Sequence, residues 1–306
     1  MSTETLAAGR AIARSWRGHG RADAWLLLGP CLLYLAAFAI YPLIYSLRLS
    51  FTDLTAADGT GHWVGLKNYA DLVLDPLFWN AAKNSLVMVA AAIVIEIVLG
   101  TALALFFDLQ LVGASLVRGI LALPMLITPI VVGVMWRALL NPDWGLINWG
   151  ISALGFDPPN WLGSIEMAMK TLVIVDVWQW TPFVFIVVFA RLQALPRDVF
   201  EAVQIDGAGY FTTLRHVTLP LLAPAITFAA IFRAVDAFRS FDLIYGLSYG
   251  GPARSTTTLS FFSFQNGFQF QNYGYAAAVA YVMLLILALG TTILLRYVQL
   301  RPGHAR

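Results

Sequence analysis

The chain has 306 residues, of which 59% are apolar and only 12% charged, against roughly 25% charged in a soluble domain. The mean hydropathy of +0.73 comes from long charge-free stretches, which argues against a water-soluble enzyme built on one core. Nineteen Lys+Arg against seventeen Asp+Glu give a formal charge of +2, and the basic residues are dispersed, so no nucleic-acid-binding surface is expected.

Residues 1–23 form a basic tail with Arg10, Arg14, Arg17 and Arg21. Either the tail lies on the anionic leaflet as an amphipathic helix, using Leu6, Ile12 and Trp16, or it is disordered and its arginines only fix topology. A transmembrane helix needs about 20 mostly apolar residues, and residues 24–47 supply them without a single charge. This stretch is too long for a cleaved signal and reads as a retained signal anchor, with the first transmembrane helix spanning 24–50. It holds Cys31, the lone cysteine, which excludes an intramolecular disulfide and reads as a small lipid-side or packing residue.

An outer loop, 51–79, follows with Gly59, Gly61, Gly65 and Pro76 as turn signals. The core then runs from 80 to 297. Its second span, 86–107, contains Glu96, and its third, 119–140, contains Arg137 near the end. A second turn-rich loop at 141–165 carries Asn141-Pro142, Gly145, Gly155 and Pro158-Pro159. Each of these two loops has room for a short helix. The fourth span, 168–190, holds Asp176; the fifth, 221–245, begins clean but carries Arg233, Asp236, Arg239 and Asp242. A clean sixth span at 273–295 leads to a short tail, 298–306. The reading is therefore an all-α integral membrane protein with six transmembrane helices.

Orientation follows from the arginine and lysine bias. Arg10, Arg14, Arg17, Arg21, Arg118, Arg191, Arg197, Arg215, Arg296, Arg301 and Arg306 fall on one side, against Lys67 and Arg254 in the opposite loops. Both termini are thus expected in the cytoplasm.

Enzymatic signatures are missing. His19, His62, His216 and His304 are scattered without metal-ligand spacing, and neither HExxH nor GxSxG occurs. None of the three lysines, Lys67, Lys83 and Lys170, follows a glycine as a phosphate-loop lysine must. No catalytic or metal site is expected, and if ATP drives this protein, another subunit binds it.

The loop between spans four and five, 191–220, is the most specific part of the chain. After Pro196 a short helix is expected over about 199–205; Gly207 and Gly209 break it, and a second short helix leads to Leu219-Pro220. The order Glu201-Ala202-Val203, then Asp206-Gly207-Ala208, then Leu219-Pro220 resembles the EAA loop of binding-protein-dependent ABC importer permeases. Val203 stands where that pattern has alanine. Trp180-Thr181-Pro182-Phe183, Phe241-Asp242, Gly250-Gly251-Pro252, Asn141-Pro142-Asp143-Trp144-Gly145 and Gly65-Leu66-Lys67-Asn68-Tyr69 extend the resemblance to the sugar-uptake branch related to maltose and glycerol-3-phosphate permeases.

That resemblance implies a type I ABC importer permease fold in a bacterial inner membrane. It also implies a second permease subunit, two ATP-binding cassette subunits holding ATP and Mg, an extracytoplasmic solute-binding protein and a sugar-like solute. The loop would then be a coupling helix seated in the ATPase, with Glu201 offering a charge, Gly207 making a turn that a side chain would obstruct, and Pro220 stopping the loop before span five. Asp206 either meets the partner or caps the second short helix.

The charges in span five need an explanation of their own. Left unpaired against lipid, the four would cost about 10 to 14 kcal/mol on insertion scales. Their spacing of three allows an Arg–Asp ladder along one helix. Alternatively some of them line the solute path, with Asp236 and Arg239 deepest. Asp176, Trp178, Gln179 and Trp180, just before Pro182, offer the polar and aromatic side of such a path, although tryptophans also populate interface belts. Pro182 is expected to bend its helix toward a cavity, and Glu96 is a further partner for one of the arginines.

Two other functions compete. Intramembrane charges alone also suit a self-sufficient secondary transporter, but such a carrier has no use for an ATPase-docking helix, and no inverted repeat is evident. An integral-membrane enzyme lacks its catalytic constellation. Among solutes, a disaccharide, a polyol, a sulfonated sugar and a glycerol-3-phosphate-type ligand all fit.

Overall fold

The structure is a computed structural model and describes residues 25–109 and 114–299. The basic N-terminal tail and the arginines at 301 and 306 lie outside the described residues. Within them the only β pairings are two isolated bridges, Thr52 with Trp63 and Thr55 with Asn272.

Helix α1 (Trp25–Leu49) carries no charge until Arg48, and no residue of its apolar window is buried against the rest of the chain. Cys31 on it is exposed. Its far end is tied down by polar contacts: the Ser50 hydroxyl meets the Tyr69 hydroxyl at 2.7 Å. Asn68 donates to the carbonyls of Ser50 (2.9 Å) and Thr52 (2.8 Å). Asn68 and Tyr69 sit on the short α2 (Lys67–Leu74), one of the two loop helices expected; α6 (Leu146–Ala153) is the other.

Helix α3 (Pro76–Phe107) begins ten residues before the apolar run at 86, because its first turns are well capped. Pro76 occupies the first helical position and the Asp75 carboxylate accepts from Leu77 N–H at 2.8 Å. The third span is two helices, α4 (Ala114–Leu126) and α5 (Pro129–Leu139), bent by 99°. Pro129 pushes Thr128 into an extended conformation, ψ 139°, and the span breaks there. Among the described residues five helices are long and apolar enough to cross a bilayer, and the bent pair taken as one span makes a sixth.

Helix α7 (Ile165–Gln193) passes through Pro182 as one helix, so the expected bend does not interrupt it. It pairs with α3, the most extensive helix contact. Between membrane helices the association rests on close packing, and Gly100 permits it: a Cβ there would stand 2.7 Å from Val184 Cβ.

The fifth span differs most from expectation. After α8 (Arg197–Ile205), one helix, α9, runs from Tyr210 to Phe238. Pro220 does not stop the loop. A π-helical turn at Leu214–Thr218 lets Leu219 N–H reach back to Leu214 C=O, and this wide turn absorbs the donor that Pro220 lacks. The helix ends at Phe238 rather than near 245, and a separate short helix, α10 (Asp242–Leu247), follows. Then come α11 (Leu259–Phe264) and the last span, α12 (Tyr273–Gln299).

Among the described residues three apolar clusters result: a small one holds Leu72, Phe78, Ala81, Leu259, Phe262 and Val279, and two larger ones meet along α3. One gathers Met88, Ala92, Val132, Leu172 and Leu243. The other, nearer α8, gathers Ala104, Phe107, Val184, Val188 and Leu222. Glu96 lies on α3 between Ala92 and Ala104, at the seam of the two.

Candidate functional site

Arg233 on α9 is held at that seam by carboxylates from three helices. Its Nε donates to Glu96 Oε2 at 2.8 Å and its Nη2 to Glu96 Oε1 at 2.9 Å. Nη2 also donates to Asp176 Oδ2 on α7 at 2.7 Å, and Nη1 to Asp236 Oδ2 at 2.5 Å. The Arg233, Glu96 and Asp176 side chains are 1%, 0% and 2% exposed, whereas Asp236 is 40% exposed. The guanidinium carbon stands 4.8 Å from the centroid of the Trp180 ring, a cation–π contact. Three carboxyl groups around one planar fork engage nearly all its donors, the condition under which a buried charge is tolerated.

This arrangement corrects the Arg–Asp ladder. Of its rungs only Arg233–Asp236 forms; among the described residues Arg239 and Asp242 make no ion pair. The spacing of three has meaning only inside a helix, and α9 ends before both. The order of depth is also reversed. Arg233 is the deepest, while Arg239 and Asp242 are exposed.

Beside this cluster opens a small cleft of about 150 Å³. Asp176 and Trp180 of α7 line it, with Asp236, Arg239 and Ser240 at the end of α9 and Asp242 at the start of α10. Three of the residues singled out on span five, Asp236, Arg239 and Asp242, thus share one place with Asp176 and Trp180 from span four, and the buried Arg233 is bonded to Asp176 and Asp236 of its wall. Trp178 and Gln179 do not join them. Trp178 packs edge-on against Trp136 (centroids 5.4 Å, 72°) and faces a separate apolar cavity of about 790 Å³ between α3, α4 and α7. Gln179 donates through Nε2 to Ile127 C=O at 2.9 Å, satisfying a carbonyl set free where the third span breaks. The sequence carried no sign of that partnership, nor of Ser240 in the cleft wall.

The loop after α7 forms a second exposed feature. The chain leaves α8 through Asp206 into Gly207, whose φ is +72°. Gly207 N–H bonds Gln204 C=O at 3.1 Å and Ala208 N–H bonds Val203 C=O at 3.2 Å, the Schellman pattern that ends a helix with a left-handed residue. A Cβ on Gly207 would meet nothing within 4 Å, so inside this chain the demand for glycine is conformational, not steric. The side chain of Asp206 caps nothing: the next helix starts at Gly209 without a side-chain cap.

Glu201, Ala202, Asp206 and Gly207 are exposed, Ala208 half-buried, and Ile205 and Phe211 stand 86% and 81% exposed beside them. Leu219 and Pro220 lie further on, exposed on α9 itself. The loop is anchored from behind by Phe200, which packs on the second of the larger apolar clusters. Gln193 adds a hydrogen bond to Asp108 at 2.7 Å.

Residues 97–302 match the family described as "Binding-protein-dependent transport system inner membrane component". The chain is 34% identical over 282 residues to the trehalose/maltose transport system permease protein MalF of Thermococcus litoralis, covering 92% of this chain and 94% of that one. It is 31% identical over 277 residues to the sulfoquinovosyl glycerol transport system permease protein SmoG of Agrobacterium fabrum, covering 90% of each. Its fold matches a chain in the crystal structure of a bacterial ABC transporter that imports the acidic polysaccharide alginate. The TM-score is 0.83 at 21% identity, over 95% of this chain and 100% of that one.

The Gln179–Ile127 bond yields a stability prediction. Replacing Gln179 with Leu keeps the volume but leaves the Ile127 carbonyl without its donor, and should lower stability by about 1–3 kcal/mol. Unfolding of the purified chain in detergent reads this; an unchanged midpoint would mean the bond does not hold the break.

Proposed function

We propose, since this chain belongs to the family of binding-protein-dependent transport system inner membrane components, that it is the permease subunit of an ATP-driven importer. Its solute is a carbohydrate or a related polyol or sugar derivative, as the trehalose/maltose and sulfoquinovosyl glycerol relatives suggest. A second permease subunit, two ATP-binding cassette subunits and an extracytoplasmic solute-binding protein complete the assembly. ATP and Mg belong to the cassette subunits, and both termini of this chain face the cytoplasm.

One observation carries the reading: a single helix joins the two exposed features. Helix α9, 29 residues from Tyr210 to Phe238, spans about 43 Å at 1.5 Å per residue. It starts at the Schellman turn of the loop and ends at the cleft. Closure of the cassette subunits can rock this chain only through a stiff element that both share. Glu201, Ala202, Asp206, Gly207 and Ala208 present the docking face. Leu219 and Pro220, on α9 just after its π turn, carry the displacement inward. At the other end Asp176, Trp180, Arg233, Asp236, Arg239 and Asp242 form this chain's part of the solute path, with Trp178 and Gln179 bracing it from behind.

Reconstituted with its partners, the wild type should take up solute only with ATP and binding protein present. Gly207→Leu, which strains a left-handed position by about 1–2 kcal/mol, should still insert but lose most uptake. Gly207→Asn tolerates that backbone; recovery with Asn assigns the loss to conformation, and failure with Asn assigns it to a side chain obstructing the docked subunit. Normal uptake by Gly207→Leu would remove the coupling role.

Topology is checked separately. Cysteines placed in the N-terminal tail and at Ser255 should react from opposite sides of the membrane. Labelling of both from outside would overturn the orientation.

A further inference from the structure

The charge balance of the cleft narrows the kind of solute that can pass, and this step rests on the reading of the chain as a sugar permease. Three carboxylates, Asp176, Asp236 and Asp242, line the cleft together with one guanidinium, Arg239. Arg233, bonded to Asp176 and Asp236 of that wall, and Glu96, bonded to Arg233, are buried behind them. That is four carboxylates against two guanidiniums, a formal charge of −2.

The two cations are not equivalent. Arg233 already gives Nε and Nη2 to Glu96, Nη2 also to Asp176 and Nη1 to Asp236, and its plane lies against Trp180. It has almost nothing left to offer an anion. Among the described residues Arg239 is then the one cleft cation not engaged in an ion pair, and it shares the cleft with Asp236 and Asp242. An anionic solute that reaches Arg239 meets Asp236 and Asp242 in the same cleft of about 150 Å³, and like charges repel it there. A neutral sugar meets the opposite situation. Its hydroxyls donate to Asp236 and Asp242 and accept from Arg239, while the rings of Trp180 and Phe241 offer apolar faces.

We infer that the wall this chain contributes to the path is electronegative and selects uncharged, hydroxyl-rich sugars over sulfonated, phosphorylated or uronate-bearing ones. The relatives and structural neighbours span both kinds, from trehalose/maltose to sulfoquinovosyl glycerol and alginate, so membership in the family does not decide the matter. The side chains of the cleft do.

The test uses the complete transporter with its binding protein, in proteoliposomes. With Cys31→Ser, Ser240→Cys places a single thiol of this chain in the cleft wall; the Ser240 carbonyl, which accepts from Ser260 Oγ, is unaffected. Rates with a trimethylammonium-bearing and a sulfonate-bearing thiosulfonate reagent are compared, each relative to free cysteine. The inference expects a cation-to-anion ratio at least about tenfold above that of free cysteine. It expects Asp242→Asn to lower the ratio several-fold. A ratio equal to or below the free-thiol value overturns it.

In parallel, uptake of maltose and trehalose is compared with that of sulfoquinovosyl glycerol and alginate oligosaccharides. Neutral uptake exceeding acidic uptake at least about tenfold supports the inference, and equal or preferred acidic uptake overturns it whatever the labelling ratio. If no carbohydrate is carried at all, the sugar-permease reading fails, while the labelling ratio still decides the sign of the cleft.

Discussion

A guanidinium buried between membrane helices is tolerated only if carboxylates come to meet it, and in this chain they come from three directions. Arg233 draws Glu96 from α3 and Asp176 from α7, and turns to Asp236 on its own helix. Removing the cation would strand two carboxylates that are at most 2% exposed, a loss of the order of 3–5 kcal/mol for a broken buried pair. Apolar packing gives membrane helices little preference for one rotation over another, because lipid tails compete with it. A four-point ionic contact is directional, and it fixes how α3, α7 and α9 face one another between the two larger apolar clusters.

The same contact places the cleft. Asp236 lies one helical turn beyond Arg233, and Trp180 one turn beyond Asp176, so registering the three helices also registers the polar wall. The end of α9 at Phe238 then releases Arg239 and Asp242 from the helical pattern and leaves them facing open space. At its other end α9 begins just after the Schellman turn at Gly207. A displacement applied to the exposed loop can be carried along one continuous helix to the buried cluster. The π turn before Pro220 is what keeps that helix whole.

Much of this was legible in the sequence. The long apolar runs announced the spans, because a bilayer sets their length. Arg233, Asp236, Arg239 and Asp242 drew attention because lipid does not tolerate them unpaired, and Glu96 stood out as a partner for one of the arginines. What was not legible depended on distance along the chain. Glu96 and Arg233 are 137 positions apart, and no local pattern selects Arg233 over Arg239. Proline was read too literally: Pro220 and Pro182 both lie within continuous helices, while Pro129 does break one. Before Pro220 the chain widens into a π turn, whereas before Pro129 Thr128 is extended and the helix stops. Trp178 and Gln179 were grouped with Trp180 by adjacency, yet successive helical residues point about 100° apart, which is enough to send them to the apolar cavity and to Ile127.

The central claim is that Arg233 and its carboxylates act as one unit, and a double-mutant cycle tests it most directly. Stability toward denaturing detergent would be measured for the wild type, Arg233→Met, Glu96→Gln and the double variant. The account predicts that Arg233→Met is the most damaging and that adding Glu96→Gln recovers much of the loss, giving a coupling of about 2 kcal/mol or more. Additivity within about 0.5 kcal/mol would contradict it, because helices held by packing alone would not register which charge had lost its partner.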